Sequence, residues 1–527
     1  MSDCAMRRIL LALAFLGTAI LLVLNILPEK SIDRTPLEYL RSEYSVKHKP
    51  SVDHAKFDVL DGPFEQPQDV TKACISCHTE RHLEVMNSSH WNWERMEYIE
   101  GQGIRKVGKK NILNNFCIGI SGNQQACNRC HIGYGWGDAN FDFHNPYNVD
   151  CLACHDQSNL YIKAGAGMPN PNVDLTEVAK QVGKPTRTNC GTCHFFGGGG
   201  NNVKHGDLDM AMFDPSKDLD VHMAVEGVNM QCVACHTADQ HQMLGKSYSV
   251  SSMNRDRVRC ESCHGDLPHA DNILNNHTLK VACQTCHIPT YAKENPTKVQ
   301  WDWSTAGQLR DGKPFEVEDD SLGVDTYMSI KGSFVWGKDL KPEYAWFNGT
   351  ASHYLLGDKF DPSDTLKINS LQGSYNDPDS KIIPVKVHRS KQIYDTQNNY
   401  LIQPKTVSTH PGDSAYWNEF DWQKACAAGM NEVGLPYSGE FGFTNTNMYW
   451  PVNHMVAPAK KAVTCSECHS RTDSRLANLT DFYMPGRDRN IWIDRAGAGI
   501  LILTLLGVMV HGAARFVISR RRKGAEL

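Results

Sequence analysis

Two nearly unbroken runs of apolar residues frame the chain. One covers residues 9–27, directly after Arg7 and Arg8, and the other covers residues 496–518, just before a basic cluster at 520–523. A helix that crosses a bilayer needs roughly 20 apolar residues, so each run is about long enough for a membrane span. A secretory signal would have a shorter apolar stretch and a cleavage site of small residues, and no obvious site of that kind follows the first run. The pattern predicts an N-terminal anchor, with a cleaved signal peptide as the alternative, and a C-terminal transmembrane helix.

Residues 288–464, which lie between these runs, have no clear hydrophobic period. They are rich in Trp and in the loop formers Gly, Pro, Asn and Asp. They lack the alternation of apolar and polar positions that a β-sandwich requires. We therefore expect this segment to wrap the rest of the protein. A polar linker at 471–490, interrupted by Pro485 and Gly486, then leads to the second apolar run.

A Cys-x-x-Cys-His motif occurs eight times, and this repeat defines the class of the protein. In the motif the two thiols bond to the haem vinyl groups, and the adjacent His lies against the iron as the proximal ligand. The cysteines predicted to attach haem are Cys74, Cys77, Cys127, Cys130, Cys151, Cys154, Cys190, Cys193, Cys232, Cys235, Cys260, Cys263, Cys283, Cys286, Cys465 and Cys468. The predicted proximal ligands are His78, His131, His155, His194, His236, His264, His287 and His469.

Zinc binding is the main alternative explanation of Cys-x-x-Cys pairs. Zinc sites need two pairs that face each other, with His at other offsets. Here a His directly follows the second Cys of every motif, which neither zinc nor disulfides explain. The motifs therefore predict eight covalently bound c-type haems. The expected fold is a multihaem cytochrome c, made mostly of short α-helices and irregular loops around a stacked haem core, with N- and C-terminal transmembrane helices.

The haems and the basic clusters together predict the location of the chain. C-type haems are attached outside the cytoplasmic membrane, and the positive-inside rule places both basic clusters in the cytoplasm. We expect a membrane anchor or signal peptide at 1–29, a periplasmic octahaem domain at 30–490, and a transmembrane helix with a basic cytoplasmic tail at 491–527. The protein would then lie in the bacterial inner membrane with both termini in the cytoplasm. Its net charge of −5 argues against nucleic acid as a partner.

A haem that only transfers electrons needs a second axial ligand besides its proximal His. The chain has 23 His, of which eight lie in motifs. His48 and His54 lie near the first apolar run and His511 lies in the second. Any single His could be a surface residue, but as a group they suffice for eight bis-His haems. The candidates closest to motifs are His90, His144, His205, His222, His241, His269, His277 and His454.

With these motifs in place, the chain resembles the octahaem tetrathionate reductase family of c-type cytochromes. The more specific stretches are residues 114–117 leading into 127–136, residues 145–156, and residues 449–456 before the final motif. The resemblance implies a multihaem core shared with hydroxylamine oxidoreductase and pentahaem nitrite reductase. It also implies one active-site haem with Lys as its distal ligand, and reduction of tetrathionate, nitrite or hydroxylamine.

Carried over to this chain, the resemblance makes the haem of Cys127, Cys130 and His131 the catalytic one, with Lys163 as its distal ligand. A Lys amine binds ferric iron only when it is neutral. Once displaced and protonated, it would place a cation beside the iron, which suits an anionic substrate. Without the resemblance, a solvated loop residue would be the expected role of Lys163.

Cys117 and Cys426 are the two cysteines of the predicted periplasmic part that lie outside the motifs. Cys117 shortly precedes Cys127 and could line the same pocket. Three roles stay open for it: a disulfide with Cys426, a free thiol that exchanges with a sulfur–sulfur substrate, or a buried inert thiol. The candidate catalytic set is Lys163, Cys117 and His131.

Three functions are compatible with these features. The preferred one is a respiratory reductase of a small anionic substrate, with tetrathionate first and nitrite or hydroxylamine as further candidates. Its electrons would come from the quinone pool, directly or through a membrane cytochrome b. The alternatives are an electron-transfer cytochrome that links the quinone pool to periplasmic acceptors, and an oxidase like hydroxylamine oxidoreductase. The oxidase needs a Tyr after the last motif, where only Tyr483 follows His469. A homo-oligomer is compatible with the sequence.

Overall fold

The computed structural model describes residues 35–44, 52–115, 117–245, 251–408, 410 and 412–525. The N-terminal anchor expected at residues 9–27 lies outside the described residues. Within them, the region of the first seven haem motifs consists mostly of short α-helices joined by loops, as the sequence predicts, with two short β-hairpins between motifs. A segment rich in β-strands follows that region, and the last described element is a long helix.

Each Cys-x-x-Cys-His motif forms or borders one helical turn. Residues three apart lie on the same side of a helix, so a turn presents both thiols in one direction. The helices are α1 Pro36–Tyr44, α2 Pro67–Cys77, α3 Arg81–Met86, α4 Ser89–Asn92, α5 Gln124–Cys127, α6 Leu152–His155, α7 Leu175–Lys180, α8 Arg187–His194, α9 Cys232–Cys235, α10 Glu261–His264, α11 Asn272–His277, α12 Cys283–His287, α13 Tyr416–Glu419, α14 Trp422–Glu432, α15 Cys465–Cys468 and α16 Ile491–Ala525.

The segment between the seventh and eighth motifs is built on a sheet. The strands of the described chain are β1 Arg95–Ile99, β2 Gly103–Val107, β3 Ala238–Asp239, β4 Gln242–Met243, β5 Thr297–Asp302, β6 Glu316–Asp319, β7 Val324–Met328, β8 Gly332–Gly337, β9 Glu343–Phe347, β10 Ala351–His353, β11 Leu366–Lys367, β12 Asn369–Leu371, β13 Lys381–Asp395, β14 Tyr400–Leu401 and β15 Phe441–Pro451. Nine of them form one mixed sheet in the order β11-β15-β13-β5-β8-β7-β6, with β9 and β14 also paired to β13.

The fold prediction omitted this sheet, and in that respect it was wrong. Strand β13 lies at the centre of the sheet, antiparallel to β15 and parallel to β5. Most of its residues are buried, including consecutive ones, so both of its faces are covered. A strand covered on both faces has no reason to alternate apolar and polar residues. The buried polar residues Lys386, His388 and Gln392 obscure its strand character further.

One of these polar residues ties β13 to a loop of the haem-motif region. The Lys386 side chain is fully buried, and its Nζ donates to the carbonyl oxygens of Val203 at 2.9 Å and Lys204 at 3.0 Å. It also donates to the Thr297 hydroxyl at 2.6 Å. A buried amine with three acceptors is well satisfied, so the loop that carries Lys204 and His205 is fixed on the sheet.

A second loop is held in the same way. The Gln392 side chain donates to the carbonyl oxygen of Asn114 at 2.7 Å. The Asn115 side chain donates to the carbonyl oxygens of His388 at 2.7 Å and Thr446 at 2.9 Å. The sheet therefore fixes the backbone just before Cys117.

Helix α16 stands apart from the rest of the fold. It is the one helix in the described part of the chain that is long and apolar enough to cross a membrane, over Ile491–Arg521, and its side chains are exposed. This range contains the second apolar run predicted at residues 496–518.

We expect Lys386→Met to lower the melting temperature of the protein by a few degrees. The methionine fills similar space but leaves two buried carbonyl groups without their donor, which costs about 1–3 kcal/mol. Thermal unfolding followed by circular dichroism measures the effect, and Lys359→Met, at an exposed site, is the matched control. Identical melting curves for both variants would contradict the role of Lys386.

Candidate haem cavity and active site

The first five motifs open into one continuous cavity of about 1740 Å³. Pockets for single small ligands are usually about 300–1,000 Å³, so this cavity is large enough for more than one large group. Both cysteines of each of the five motifs line it. The paired thiols on single turns fit the covalent attachment of porphyrins.

Neighbouring motifs form one connected row. The sulfur atoms of four cysteine pairs lie beside each other: Cys74 and Cys151, Cys130 and Cys193, Cys190 and Cys232, and Cys260 and Cys283. Two further links complete the row: Cys235 lies near Cys263, and the Val463 N–H donates to the carbonyl oxygen of Cys286 at 2.9 Å. The row therefore runs from the second motif through the fourth, fifth, sixth and seventh to the eighth.

Seven proximal histidines each face a second His ring at a centroid separation of about 6 Å. Metal–imidazole bonds of about 2 Å on either side of one metal atom require a separation of this size. The donor set therefore fits bis-His haem iron. The pairs are His54–His78 at 6.3 Å, His90–His194 at 6.2 Å, His155–His241 at 6.4 Å, His222–His264 at 6.0 Å, His236–His454 at 6.1 Å, His269–His287 at 6.1 Å and His277–His469 at 6.1 Å.

Six of the eight candidate distal histidines stand in these pairs. The other two do not: His144 is exposed, and His205 lines the cavity with its ring 5.1 Å from that of Trp450. The sequence reasoning missed His54, which faces His78. His54 begins the first of two short 3₁₀ turns that precede helix α2. In the sequence, only the need for one partner per haem could have pointed to it.

The second motif has a different arrangement. His155, His236 and His469 each use Nδ1 to contact a backbone carbonyl oxygen, which leaves Nε2 for metal. In His131 it is Nε2 that lies 2.8 Å from the carbonyl oxygen of Trp91, while Nδ1 has no hydrogen-bond partner. The structure therefore does not orient His131 as it orients these three proximal histidines.

Lys163 lies beside this motif in an ion pair. Its ammonium contacts the carboxylate of buried Asp150, which also accepts hydrogen bonds from Tyr161 at 2.8 Å and Tyr134 at 3.1 Å. Burial, and in addition the positive charge of Lys163, lower the pKa of His131 to about 3, so this ring is neutral. Lys163 is not among the side chains that line the cavity. The expected role of Lys163 as an iron ligand therefore competes with that of a second amine nearby.

Lys204 is a second amine near the motif, and the sequence reasoning missed it. It lines the cavity, and its Nζ lies 4.9 Å from the centre of the Trp450 ring. Burial, and then the positive charge of Lys109, lower the pKa of Lys204 well below its ordinary value. Neutral amines can bind ferric iron. In the sequence, the feature that could have pointed to Lys204 was its position after the glycine run 197–200 and directly before His205.

Cys117 lines the cavity next to the second motif. Its N–H donates to the side-chain oxygen of Asn114 at 2.7 Å, and the indole N–H of Trp303 donates to its carbonyl oxygen at 3.3 Å. Burial, and next the Cys117 thiol, raise the pKa of Cys127 to about 12, which reflects how close the two sulfurs lie. Cys117 and Cys426 are both free thiols, so they form no disulfide.

The surroundings of Cys117 carry positive charge and aromatic rings. Lys109, Lys204 and Lys331 line the cavity together with Trp301 and Trp417. Several lysines in a partly enclosed space raise the local concentration of anions. The geometry therefore offers a thiol, amines and an aromatic wall around the second motif.

Two of the facing histidines are hydrogen-bonded to carboxylates. His454 Nδ1 lies 3.2 Å from Asp207 Oδ2, and His241 Nδ1 lies 2.7 Å from Glu84 Oε2. The Asp207 side chain is almost completely buried and also accepts the backbone N–H groups of Asn453 and His454. A carboxylate behind an imidazole increases its basicity and so favours the oxidised state of a bound metal.

Comparisons with known proteins agree with this geometry. A family model described as bacterial cytochrome c matches residues 298–472. The chain is similar to an octahaem cytochrome c of known crystal structure from Shewanella oneidensis, with 45% sequence identity, a TM-score of 0.76, and coverage of 83% of this chain and 98% of that chain. It is also 24% identical over 251 residues to an uncharacterized protein from Archaeoglobus fulgidus, which covers 38% of this chain and 82% of that protein. The eight motifs and these similarities show that the protein carries eight covalently bound c-type haems.

Asp207→Asn should raise the midpoint reduction potential of one haem, the one attached to Cys232 and Cys235. Asparagine keeps the size and an acceptor oxygen but removes the negative charge behind His454. Spectroelectrochemical titration measures the potentials, and Asp364→Asn, at an exposed site, is the control. Unchanged potentials in the Asp207 variant would show that its carboxylate only holds the backbone.

Proposed function

The chain belongs to the family of octahaem c-type cytochromes, and from that premise we propose that it is a membrane-anchored respiratory reductase of small sulfur or nitrogen oxyanions. One observation carries this proposal. In the described residues, seven motifs have a facing His, whereas the second has Cys117, Lys204 and other lysines around it instead. Seven sites are therefore suited to electron transfer alone, and one is suited to binding a substrate.

The chemistry divides between the haems and the chain. Bound haems supply one-electron transfer along the row and an iron on which a substrate can be reduced. Around the second motif, Trp301 and Trp417 limit access of water, and the sheet-anchored loop before Cys117 fixes the position of its thiol. Side chains that are already fixed in position can orient a substrate without losing further conformational freedom when it binds.

The charge near Cys117 favours an anionic substrate, with tetrathionate as the first candidate. Its reduction takes two electrons, breaks one sulfur–sulfur bond and releases two thiosulfate ions without uptake of protons. Lys109 and Lys331 can balance the negative charge of substrate and product. The free thiol of Cys117 can in addition contact the central sulfur atoms.

Neither alternative function draws on a comparable feature. The oxidase requires a Tyr beside the catalytic haem. Tyr483 lies two residues before Pro485, and the carbonyl oxygen of Pro485 contacts His469. This Tyr therefore lies near the eighth motif and not near the second. A pure electron carrier would need no cavity with a free thiol and clustered lysines. Anchoring is supported by the exposed, apolar helix α16.

The reductase is tested by stopped-flow reoxidation of the fully reduced protein with tetrathionate, nitrite or hydroxylamine, each alone. We expect fast oxidation of all haems by tetrathionate. Oxidation by nitrite or hydroxylamine alone would change the substrate class, and no oxidation by any of the three would identify an electron carrier.

Two matched lysine variants test which amine binds the second haem. We expect Lys204→Gln to convert one haem to a different spin state, because Lys204 is the buried amine that lines the cavity. Lys163→Gln, which can still donate to Asp150, should leave all eight haem spectra unchanged. Low-temperature electron paramagnetic resonance measures both, and the opposite result would assign the ligand to Lys163.

Cys117→Ser should reduce turnover of tetrathionate more than turnover of nitrite, since only tetrathionate has a sulfur–sulfur bond with which a thiol can interact. Steady-state rates with a viologen dye as electron donor measure the difference. Cys426→Ala is the control, because among the described residues it removes the other non-motif thiol, which lies in a core away from the cavity. Equal losses with both substrates would mean that Cys117 only shapes the pocket.

A further inference from the structure

The eighth motif lies at the foot of helix α16. His469 Nδ1 lies 2.7 Å from the carbonyl oxygen of Pro485. The next residue, Gly486, has φ of 85°, and a side chain there would lie 2.8 Å from the carbonyl oxygen of His469. Only glycine allows so close an approach. The contact keeps His469, the proximal ligand, next to the segment that leads into helix α16.

An ion pair brings the same motif to the start of the apolar run. Arg471, two residues after His469, lies 3.9 Å from Asp494 on the first turn of α16. The apolar run starts at residue 496, about 3 Å further along the helix axis. The eighth motif is therefore within a few residues of the level at which a membrane would begin.

The first turn of α16 has the composition of a membrane interface. Trp492 is 74% exposed, and the Arg495 guanidinium lies 5.9 Å from its ring. Tryptophan and arginine side chains with an apolar body and a polar end are typical of the boundary between lipid and water. This turn therefore fits the periplasmic surface of a bilayer.

The eighth motif is also the end of the haem row. The connected motifs run from the second, beside Cys117, to the eighth, beside α16. The seventh motif lies beside the eighth, because the N–H of Val463, two residues before Cys465, donates to the carbonyl oxygen of Cys286 at 2.9 Å. The candidate substrate site and the candidate membrane surface thus lie at opposite ends of one row of motifs.

We propose that the first turn of α16 docks on the lipid surface and that the haem of Cys465 and Cys468 accepts electrons there from membrane quinol. Each quinol loses two electrons and two protons and becomes quinone. The two electrons reduce two ferric haem irons of the row to the ferrous state, and the protons enter the periplasmic solution. This inference rests on the proposed function, because it requires the anchored form of the protein.

The test changes the distance between the eighth haem and the membrane. Six Gly and Ser residues inserted between Asn490 and Ile491 keep the anchor and all motifs. They can add up to about 20 Å, so we expect the initial rate of haem reduction by menadiol to fall at least about tenfold. The rate is read from haem absorbance in proteoliposomes of phosphatidylethanolamine and phosphatidylglycerol.

The controls separate this inference from the reductase itself. The same insertion between Gly101 and Gln102, in the turn of the β1–β2 hairpin, should leave the menadiol rate unchanged. Reduction by dithionite should be equally complete in all variants, and reoxidation by tetrathionate tests the proposed function independently. Trp492→Asp, which leaves every motif intact, should also slow reduction by menadiol.

Two outcomes would overturn the inference. An unchanged menadiol rate in the Asn490–Ile491 insertion would exclude the eighth haem as the quinol-facing end. Reduction of the parent protein only after addition of a membrane protein fraction would assign the donor to a protein such as a cytochrome b, in place of the lipid-dissolved quinol.

Discussion

The attachment of each haem to a single helical turn is the constraint on which the rest of the structure depends. Two thiols three residues apart and the adjacent His must stay on one turn, so helices in the motif region rarely extend further than this requirement demands. The chain between motifs then has to supply one facing ligand per haem. That requirement explains why loops, and not long helices, carry His241, His269 and His454, and why a 3₁₀ turn carries His54.

The sheet solves a separate problem at the second motif. The proposed substrate site cannot be held by two strong axial ligands, so its walls must be rigid for another reason. Strand β13 supplies that rigidity through buried polar side chains, with Lys386 holding the Lys204 loop and Gln392 holding the Asn114 loop. Buried hydrogen bonds of this kind specify one arrangement, because breaking any of them leaves a polar group unpaired.

Sequence reasoning was strongest where covalent chemistry dictates the pattern. The eight motifs alone predicted the number of haems and the short helices around them. It failed for β13, which is covered on both faces and so lacks a strand pattern. It also could not distinguish the surroundings of Lys163, which pairs with Asp150, from those of Lys204, which lines the cavity. Proximity to a motif in the sequence pointed to His90 and His277, whose rings face a proximal His, and to His144, which is exposed. It did not point to His54, whose ring faces His78. The two His of each pair come from separate segments joined by loops, and the local sequence does not show the path of these loops.

Seven similar bis-His sites do not by themselves give a direction to electron flow. Direction has to come from what differs along the row, and three differences are visible. The second motif has a thiol and lysines where the others have a second His. The eighth is attached to the apolar helix through Pro485 and the Arg471–Asp494 pair. Between them, buried Asp207 behind His454 places a negative charge at the fifth motif, which disfavours an electron resting there. A low-potential site in the middle of a row lets electrons pass without accumulating there, so that they collect at the end where the proposed substrate site lies.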